Sequence, residues 1–454
     1  MPDYTIFIKV SYFAKAMTQY SNARAYFSGK RITLMGLGLL GRGIGDAEYL
    51  ASCGADLLIT DLETEDVLAP SLARLAKYPN VRYTLGRHEL SDFRNRDLVV
   101  KGAGVPTDSP YVIEAHHQGI PVRMSADLFA ELSGVPIIGV TGTRGKTTTA
   151  CLIKAILDHA QIPALLGGNI RGVSTLALLD HASTAQFAVL ELDSWQLRGF
   201  RAQEVSPRVA VFTTFYPDHL RYYHNDLDAY LADKAAIFLN QRPDDALIVG
   251  PQALPVLGRA YPDAARRAIC AQGQTVEGWS LRTPGTQYRD NAACAREAAL
   301  ALGIHDDVIR PALQSFAPVS GRLELVRVTN GISIYNDAMA VIPEATIAAI
   351  KALSGQPLIL IMGGGEKGNA MQELVAQAKR HAKRVVLLTG SGTQLIKRHF
   401  PDALVHATLE AAVADALSAA VPGDTVLFSP ALSSRGMFRD AYDRNDRFIA
   451  ALPS

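Results

Sequence analysis

Short apolar, β-branched runs alternate with longer amphipathic ones along most of this chain. The runs at 31–35, 56–60, 97–100, 135–140, 187–192, 209–213, 246–250, 332–335, 357–362, 384–389 and 424–429 read as buried strands. Between them, segments such as 150–160 and 230–237 carry apolar residues at helical spacing. This alternation predicts an α/β protein with parallel sheets, because a parallel strand is reached only through a crossover, usually a helix. Pro, Gly and Ser punctuate the chain near 132–134 and 318–321. The expected organisation is an extension at 1–28 and three domains at 29–133, 134–319 and 320–454. No short-period repeat or low-complexity segment interrupts it.

Composition narrows the class. The 454 residues are 48% hydrophobic and 20% charged, with a net charge of +1. A near-neutral chain offers no broad field for nucleic acid or an anionic membrane, so anion binding must be local. No apolar run reaches the ~20 residues that span a bilayer. Asp3, Lys9 and Lys15 interrupt any signal-peptide core. Cys53, Cys151, Cys270 and Cys294 are scattered, with no Cys-x-x-Cys pair. They fit reduced, buried thiols rather than a zinc site or disulfide framework. The expectation is a cytoplasmic monomer acting on small molecules. Tyr4, Phe7, Tyr12, Phe13, Tyr20 and Tyr26 are expected to pack the extension on the body.

The strongest chemical signal is Gly139-Val-Thr-Gly-Thr-Arg-Gly-Lys-Thr-Thr-Thr149, between a strand and a helix pattern. Backbone amides of such a turn and the following helix N-terminus point at anionic oxygens. Lys146 adds a point charge near the phosphates and Thr147 a hydroxyl for Mg²⁺. Val140 stands where the strict Walker pattern has glycine, so this is a variant phosphate loop. A second turn, Gly36-Leu-Gly-Leu-Leu-Gly41, matches G-x-G-x-x-G, and Asp61 follows twenty residues later at a strand end. Such glycines admit a pyrophosphate, from a nicotinamide dinucleotide or from UDP. Lys101-Gly-Ala-Gly-Val-Pro106 forms another glycine-lined loop after a strand. The Gly167-Gly-Asn-Ile170 run reads as a tight turn. Glu191 ends an apolar strand, and with Thr147 it supplies hard oxygen ligands for Mg²⁺. His219 suits a softer ion, so Mn²⁺ is also allowed. Lys234 lies on an amphipathic helix. Alone, each of these has a plain alternative: a strand-end acid, a loop histidine, a snorkelling lysine.

Together the motifs resemble the Mur ligases, ATP-dependent amide-forming enzymes of peptidoglycan synthesis. The resemblance is strongest to the branch that joins D-glutamate to UDP-N-acetylmuramoyl-L-alanine. It rests on 142–148, 167–170, 191–197, Asp218-His-Leu220, Asn336-Asp337, Gly363-Gly-Gly-Glu-Lys-Gly368 and Ser429-Pro-Ala-Leu-Ser-Ser434. The resemblance implies three domains: a Rossmann-like UDP-binding domain, a central phosphate-loop domain with a parallel sheet, and a C-terminal Rossmann-like domain that brings the amino acid and closes over ATP. It implies an acyl-phosphate mechanism with release of ADP and phosphate. It implies ATP contacts from Gly142, Thr143, Arg144, Gly145, Lys146, Thr147, Thr148, Asn291, Arg322, Asn336 and Asp337. By the same resemblance Gly38, Leu39, Asp61, Asn169 and Gln196 surround the UDP substrate, and Lys367 and Ser434 meet the amino acid. Thr147, Glu191 and His219 serve as metal ligands, and Lys234 matches the family's carbamylated lysine. Lys146, Glu191, His219 and Lys234 form the catalytic set.

The resemblance breaks in places. Met339 and Val341 stand where the family has a lysine and a threonine for the incoming glutamate. Arg435, Arg439 and Arg444 are candidates for a replacement cation. Arg144 and Thr214 replace asparagines, and Arg221-Tyr-Tyr223 replaces Asp-Arg-His. L-glutamate or another amino acid is therefore an alternative acceptor. Other classes make other demands. A phosphotransferase or switch NTPase would turn over ATP without forming an amide. A nicotinamide enzyme leaves Lys146, Glu191 and Lys234 without a task. A non-catalytic nucleotide sensor has no need of the retained catalytic residue types.

Overall fold

The computed structural model describes residues 23–220 and 222–453. The chain folds as two compact units. One holds the chain as far as Ala271 together with Cys294–Ile309; the other holds Gln272–Ala293 and the chain from Arg310 onward.

The first unit contains two parallel sheets. Strands β1 (Arg31–Met35), β2 (Asp56–Asp61), β3 (Val81–Leu85), β4 (Leu98–Lys101) and β5 (Val122–Arg123) lie in the order β3-β2-β1-β4-β5. The order reverses between β1 and β4, where Met35 lies opposite Lys101. A reversal of this kind opens a crevice at the strands' C-terminal ends. Strands β6 (Ile137–Thr141), β7 (Ala164–Gly168), β8 (Phe187–Glu191), β9 (Val209–Phe212), β10 (Ala246–Val249) and β11 (Ile269–Cys270) follow the order β11-β10-β9-β6-β8-β7. Every residue of β6, β8 and β9 is buried. Their continuous apolar character is what strands covered on both faces require. Register places Val140 beside Glu191 and Thr141 beside Phe212, so three strand ends converge on one edge.

The second unit carries β12 (Glu324–Thr329), β13 (Ile332–Asn336), β14 (Leu358–Gly363), β15 (Ala382–Leu388), β16 (Val405–His406) and β17 (Thr425–Phe428), ordered β12-β13-β17-β14-β15-β16. This sheet departs from the all-parallel expectation, because β12 runs antiparallel to β13. The cause is local. Asn330 and Gly331 both take positive φ, 49° and 75°, the conformation of a mirror-image two-residue hairpin turn.

Strands β3, β5, β7, β11, β12 and β16 were not among the apolar runs. Arg82 and Tyr83 leave β3 with exposed positions, and three of the others are only two residues long. Gly167 and Gly168 end strand β7 rather than forming a turn. Gly168 lies so close to the Glu191 backbone that a Cβ there would collide with it. Of the N-terminal aromatics, Tyr26 packs edge-on against Phe27, which is fully buried. Tyr4, Phe7, Tyr12, Phe13 and Tyr20 lie outside the described residues, as does Arg221. Two cysteines, Cys53 and Cys294, are buried as expected; Cys151 and Cys270 are only half-buried. Among the described residues no helix is long and apolar enough to cross a membrane.

Candidate active site

The phosphate turn follows central strand β6 and enters the helix Lys146–His159 through Gly145, at φ 88°. Thr143 and Thr214 pin the turn to the end of β9. Thr143 N donates to Thr214 O at 2.7 Å, and Thr143 Oγ1 donates to Tyr216 O at 3.1 Å. Arg144 and Thr214, both departures from the family pattern, are partners. Arg144 N donates to Thr214 Oγ1 at 2.9 Å, and that hydroxyl donates to Arg144 O at 3.1 Å. Thr148 is buried in the first helical turn.

Lys146 folds back over the turn, its Nζ donating to Gly142 O at 2.9 Å and to Thr143 O at 3.2 Å. Lys234 arrives from the helix Leu227–Leu239 with only 1% of its surface exposed. Its Nζ donates to the same Gly142 O at 3.0 Å and lies 3.4 Å from Thr141 Oγ1. Two ammonium groups on one carbonyl repel, and Lys234 is the one in a low dielectric. Burial and the Lys146 charge hold its amine well below the ordinary lysine range, against the pull of Asp193, Asp218 and Glu191. The shift is toward the neutral amine.

Glu191, at the end of β8 and 3% exposed, accepts a hydrogen bond from Thr147 Oγ1 at 2.6 Å. The expected carboxylate–hydroxyl pair is thus assembled at the phosphate turn. Among the described residues no group of three His, Cys, Asp or Glu side chains gathers as a metal cage. The donor set instead fits a hard divalent cation that takes one or two protein oxygens and completes its shell with phosphates and water. His219 takes φ 55° and packs its ring on Trp195, with centroids 4.7 Å apart, while Nε2 stands 3.9 Å from Asp218 Oδ2. Arg144 reaches the same Asp218 oxygen at 3.6 Å.

Beside this cluster lies the β1–β4 crevice, a cavity of about 460 Å³. Gly38, Leu39 and Asp61 line it as the sequence suggests, and so does Lys101 from the second glycine-lined loop; His88 and Arg42 line it unannounced. Asp61 is the last residue of β2. Its Oδ2 accepts from Leu37 N at 2.7 Å and Gly38 N at 2.9 Å, so the carboxylate fills part of the glycine turn. Asn169 links the two areas. Its Oδ1 accepts from Arg42 Nη1, and its Nδ2 lies 3.5 Å from Glu191 Oε1. Gln196 forms a capping box with Asp193 at the start of the helix Ser194–Ala202. That box commits its Oε1 and its backbone N–H.

Asn291, Arg322, Asn336, Asp337, Lys367 and Ser434 belong to the second unit. Asn336 is fully buried and donates from Nδ2 to Asn445 Oδ1 at 2.9 Å. Asp337 accepts from Leu323 N at 3.1 Å and Ser429 Oγ at 2.7 Å. A reciprocal backbone pair, Gly365 with Ser433, brings the Lys367 and Ser434 loops side by side.

The profile of the Mur ligase middle domain matches residues 140–254, and that of the Mur ligase glutamate ligase domain matches 321–432. The UDP-N-acetylmuramoylalanine–D-glutamate ligase of Roseiflexus sp. is 36% identical over 93% of this chain and 98% of its own length. The chain belongs to the Mur ligase family. A second relative of this Mur ligase, the enzyme of the same name from Geobacter metallireducens, is 33% identical over 94% of the chain and 97% of its own length. The solved UDP-N-acetylmuramate–alanine ligase of Thermotoga maritima shares the fold, with a TM-score of 0.62 at 16% identity, covering 93% of this chain and 98% of that one.

One candidate for a replacement cation in this Mur ligase changes character in the structure. Arg444 is only 1% exposed. Its Nε and Nη2 donate to Ala338 O, and its Nη1 donates to Leu432 O. It clamps the strand-end segment that carries Met339 to the loop that carries Ser434. Arg439 is solvated, with 69% of its side chain exposed beside Asp443, and Arg435 is exposed.

Proposed function

We propose that this Mur ligase joins D-glutamate to UDP-N-acetylmuramoyl-L-alanine with ATP, through an acyl phosphate. The observation that carries the proposal is the cluster at Gly142 O: a phosphate-turn lysine, a second, buried lysine and a Thr147–Glu191 oxygen pair. A carboxylate oxygen of the donor attacks the γ-phosphorus and ADP leaves. The amine of the amino acid then attacks the acyl carbon, phosphate departs, and the amine's proton is lost to solvent or base. Lys146 and the amides of 142–148 meet the phosphoryl charge, work that is chiefly positioning and electrostatics. Thr147 and Glu191 would hold a divalent cation, Mg²⁺ by donor hardness, which neutralises phosphate charge when bound. Lys234, as the neutral amine, would add to CO₂ and lose a proton, giving a carbamate whose anionic oxygens, with His219, would hold a second cation. In that form the lysine no longer repels Lys146 or a metal. The domain borders near 133 and 319, a cytoplasmic monomer, and the roles of Asn169, Gln196, Lys367 and Ser434 are part of this proposal.

ADP release from the purified chain with ATP, Mg²⁺ and UDP-N-acetylmuramoyl-L-alanine, across D- and L-amino acids, tests it. D-glutamate is expected to give the highest rate. Silence with D-glutamate would sink the proposal in this form. The apolar Met339 and Val341 favour one second reading, the same chemistry with L-glutamate or another acceptor. It predicts that Met339→Lys with Val341→Thr changes which amino acid is preferred.

A further inference from the structure

The β1–β4 crevice contains a buried cation that the site above does not use. Lys101 is the last residue of β4 and lies opposite Met35, after which the glycine turn begins. It lines the crevice together with that turn, yet is only 7% exposed. Among the described residues its ammonium donates to one carbonyl, Val105 O at 3.0 Å, and to a soft sulfur, Met124 Sδ at 3.8 Å. A buried ammonium so weakly matched is costly unless an anion reaches it.

Two carboxylates of the crevice are already satisfied within the protein. Asp46, Asp61 and Glu63 line it, so its wall is already rich in carboxylate. Asp61 occupies the Leu37 and Gly38 amides that a phosphate would otherwise take. Asp46 is bound by the Ser125 and Ser174 hydroxyls. The lysine and arginine that line the crevice are Lys101 and Arg42, and Arg42 is drawn toward Asn169. We infer that Lys101 is a donor-binding residue, the cation that receives the diphosphate of the nucleotide donor. This inference rests on the UDP-donor reading of the crevice. Burial agrees with it. Facing the ammonium are Asp127 and Asp193, which hold its proton, and Arg198, which opposes it; burial wins and brings the amine down to about 8. An incoming diphosphate would push it back up.

The test is calorimetric titration of the full chain with UDP and with uridine, which lacks the diphosphate, for the wild type, Lys101→Met and Lys101→Arg. Lys101→Met is expected to weaken UDP about tenfold or more and leave uridine within about twofold, with Lys101→Arg recovering most of the loss, as for a charge-assisted contact. Raising the pH above 8 is expected to shrink the wild type's preference for UDP over uridine, and to leave that of Lys101→Met flat. Unchanged UDP affinity in Lys101→Met overturns the assignment while the donor reading stands. Equal losses for UDP and uridine also overturn it, marking a lysine that only supports the fold. A wild type that binds neither ligand overturns the donor reading, and Lys101's role with it.

Discussion

The turn after β1 and the turn after β6 are built alike and used differently. Each follows a buried parallel strand and enters its helix through a left-handed glycine, Gly41 at φ 84° and ψ −15°, Gly145 at φ 88° and ψ −18°. In the first, Asp61 supplies an internal anion to the Leu37 and Gly38 amides. In the second, two lysines converge on Gly142 O and a hydroxyl–carboxylate pair stands beside them. The shared backbone makes an anion-friendly turn in both places. Whether the protein fills that turn itself or leaves it to a phosphate is decided by side chains that arrive from other strands and helices.

Breaking the second turn has the largest expected effect. Lys234→Ala removes the group proposed as a carbamate and is expected to lower ligation by about a thousandfold, within the range of lost electrostatic stabilisation. Small carboxylates added to this variant are expected to restore part of the rate, measured as ADP release. Full activity of Lys234→Ala in bicarbonate-free buffer would refute the carbamate. In the first turn, Asp61→Asn removes one charged acceptor of two amides, a loss of about 1–3 kcal/mol in unfolding free energy. It is expected to raise the donor KM roughly tenfold at unchanged ATP KM. An equal rise in both KM values would mean that the two turns are not separate in function.

Smaller changes sharpen the contrast. Thr214→Ala deletes the hydroxyl that bridges Arg144 N and O. About 1 kcal/mol is at stake, so the ATP KM is expected to rise about fivefold with the donor KM unmoved. Arg439→Ala removes an exposed guanidinium that pairs with Asp443 at 3.3 Å and is expected to stay within about twofold in every kinetic constant. A large loss there would place that arginine in the acceptor site after all.

Much of the second turn was legible in the sequence. Gly145-Lys-Thr between an apolar run and a helical pattern states its backbone and its cation, and Glu191 ends an apolar strand beside it. The convergence of Lys234 on Gly142 was not legible without the family resemblance, because periodicity does not say which strand end a helix faces. Lys101 was visible as the first residue of a glycine-lined loop, but its burial follows from β4 lying next to β1, a fact of topology. Arg444 read as one of three similar arginines; only packing separates it from exposed Arg435 and Arg439. The antiparallel β12 had a local signal in Asn330-Gly331, outweighed by the α/β alternation around it.

In the proposed reaction the donor's own carboxylate takes the γ-phosphoryl group at the β6 turn. Donor labelled with heavy oxygen in that carboxylate, incubated with ATP, Mg²⁺ and D-glutamate, tests it directly by mass analysis of the released phosphate. One heavy oxygen is expected to leave in the phosphate for each amide formed. Unlabelled phosphate, its new oxygen drawn from water and no amide beside it, would rule out the acyl phosphate and leave an ATPase in its place.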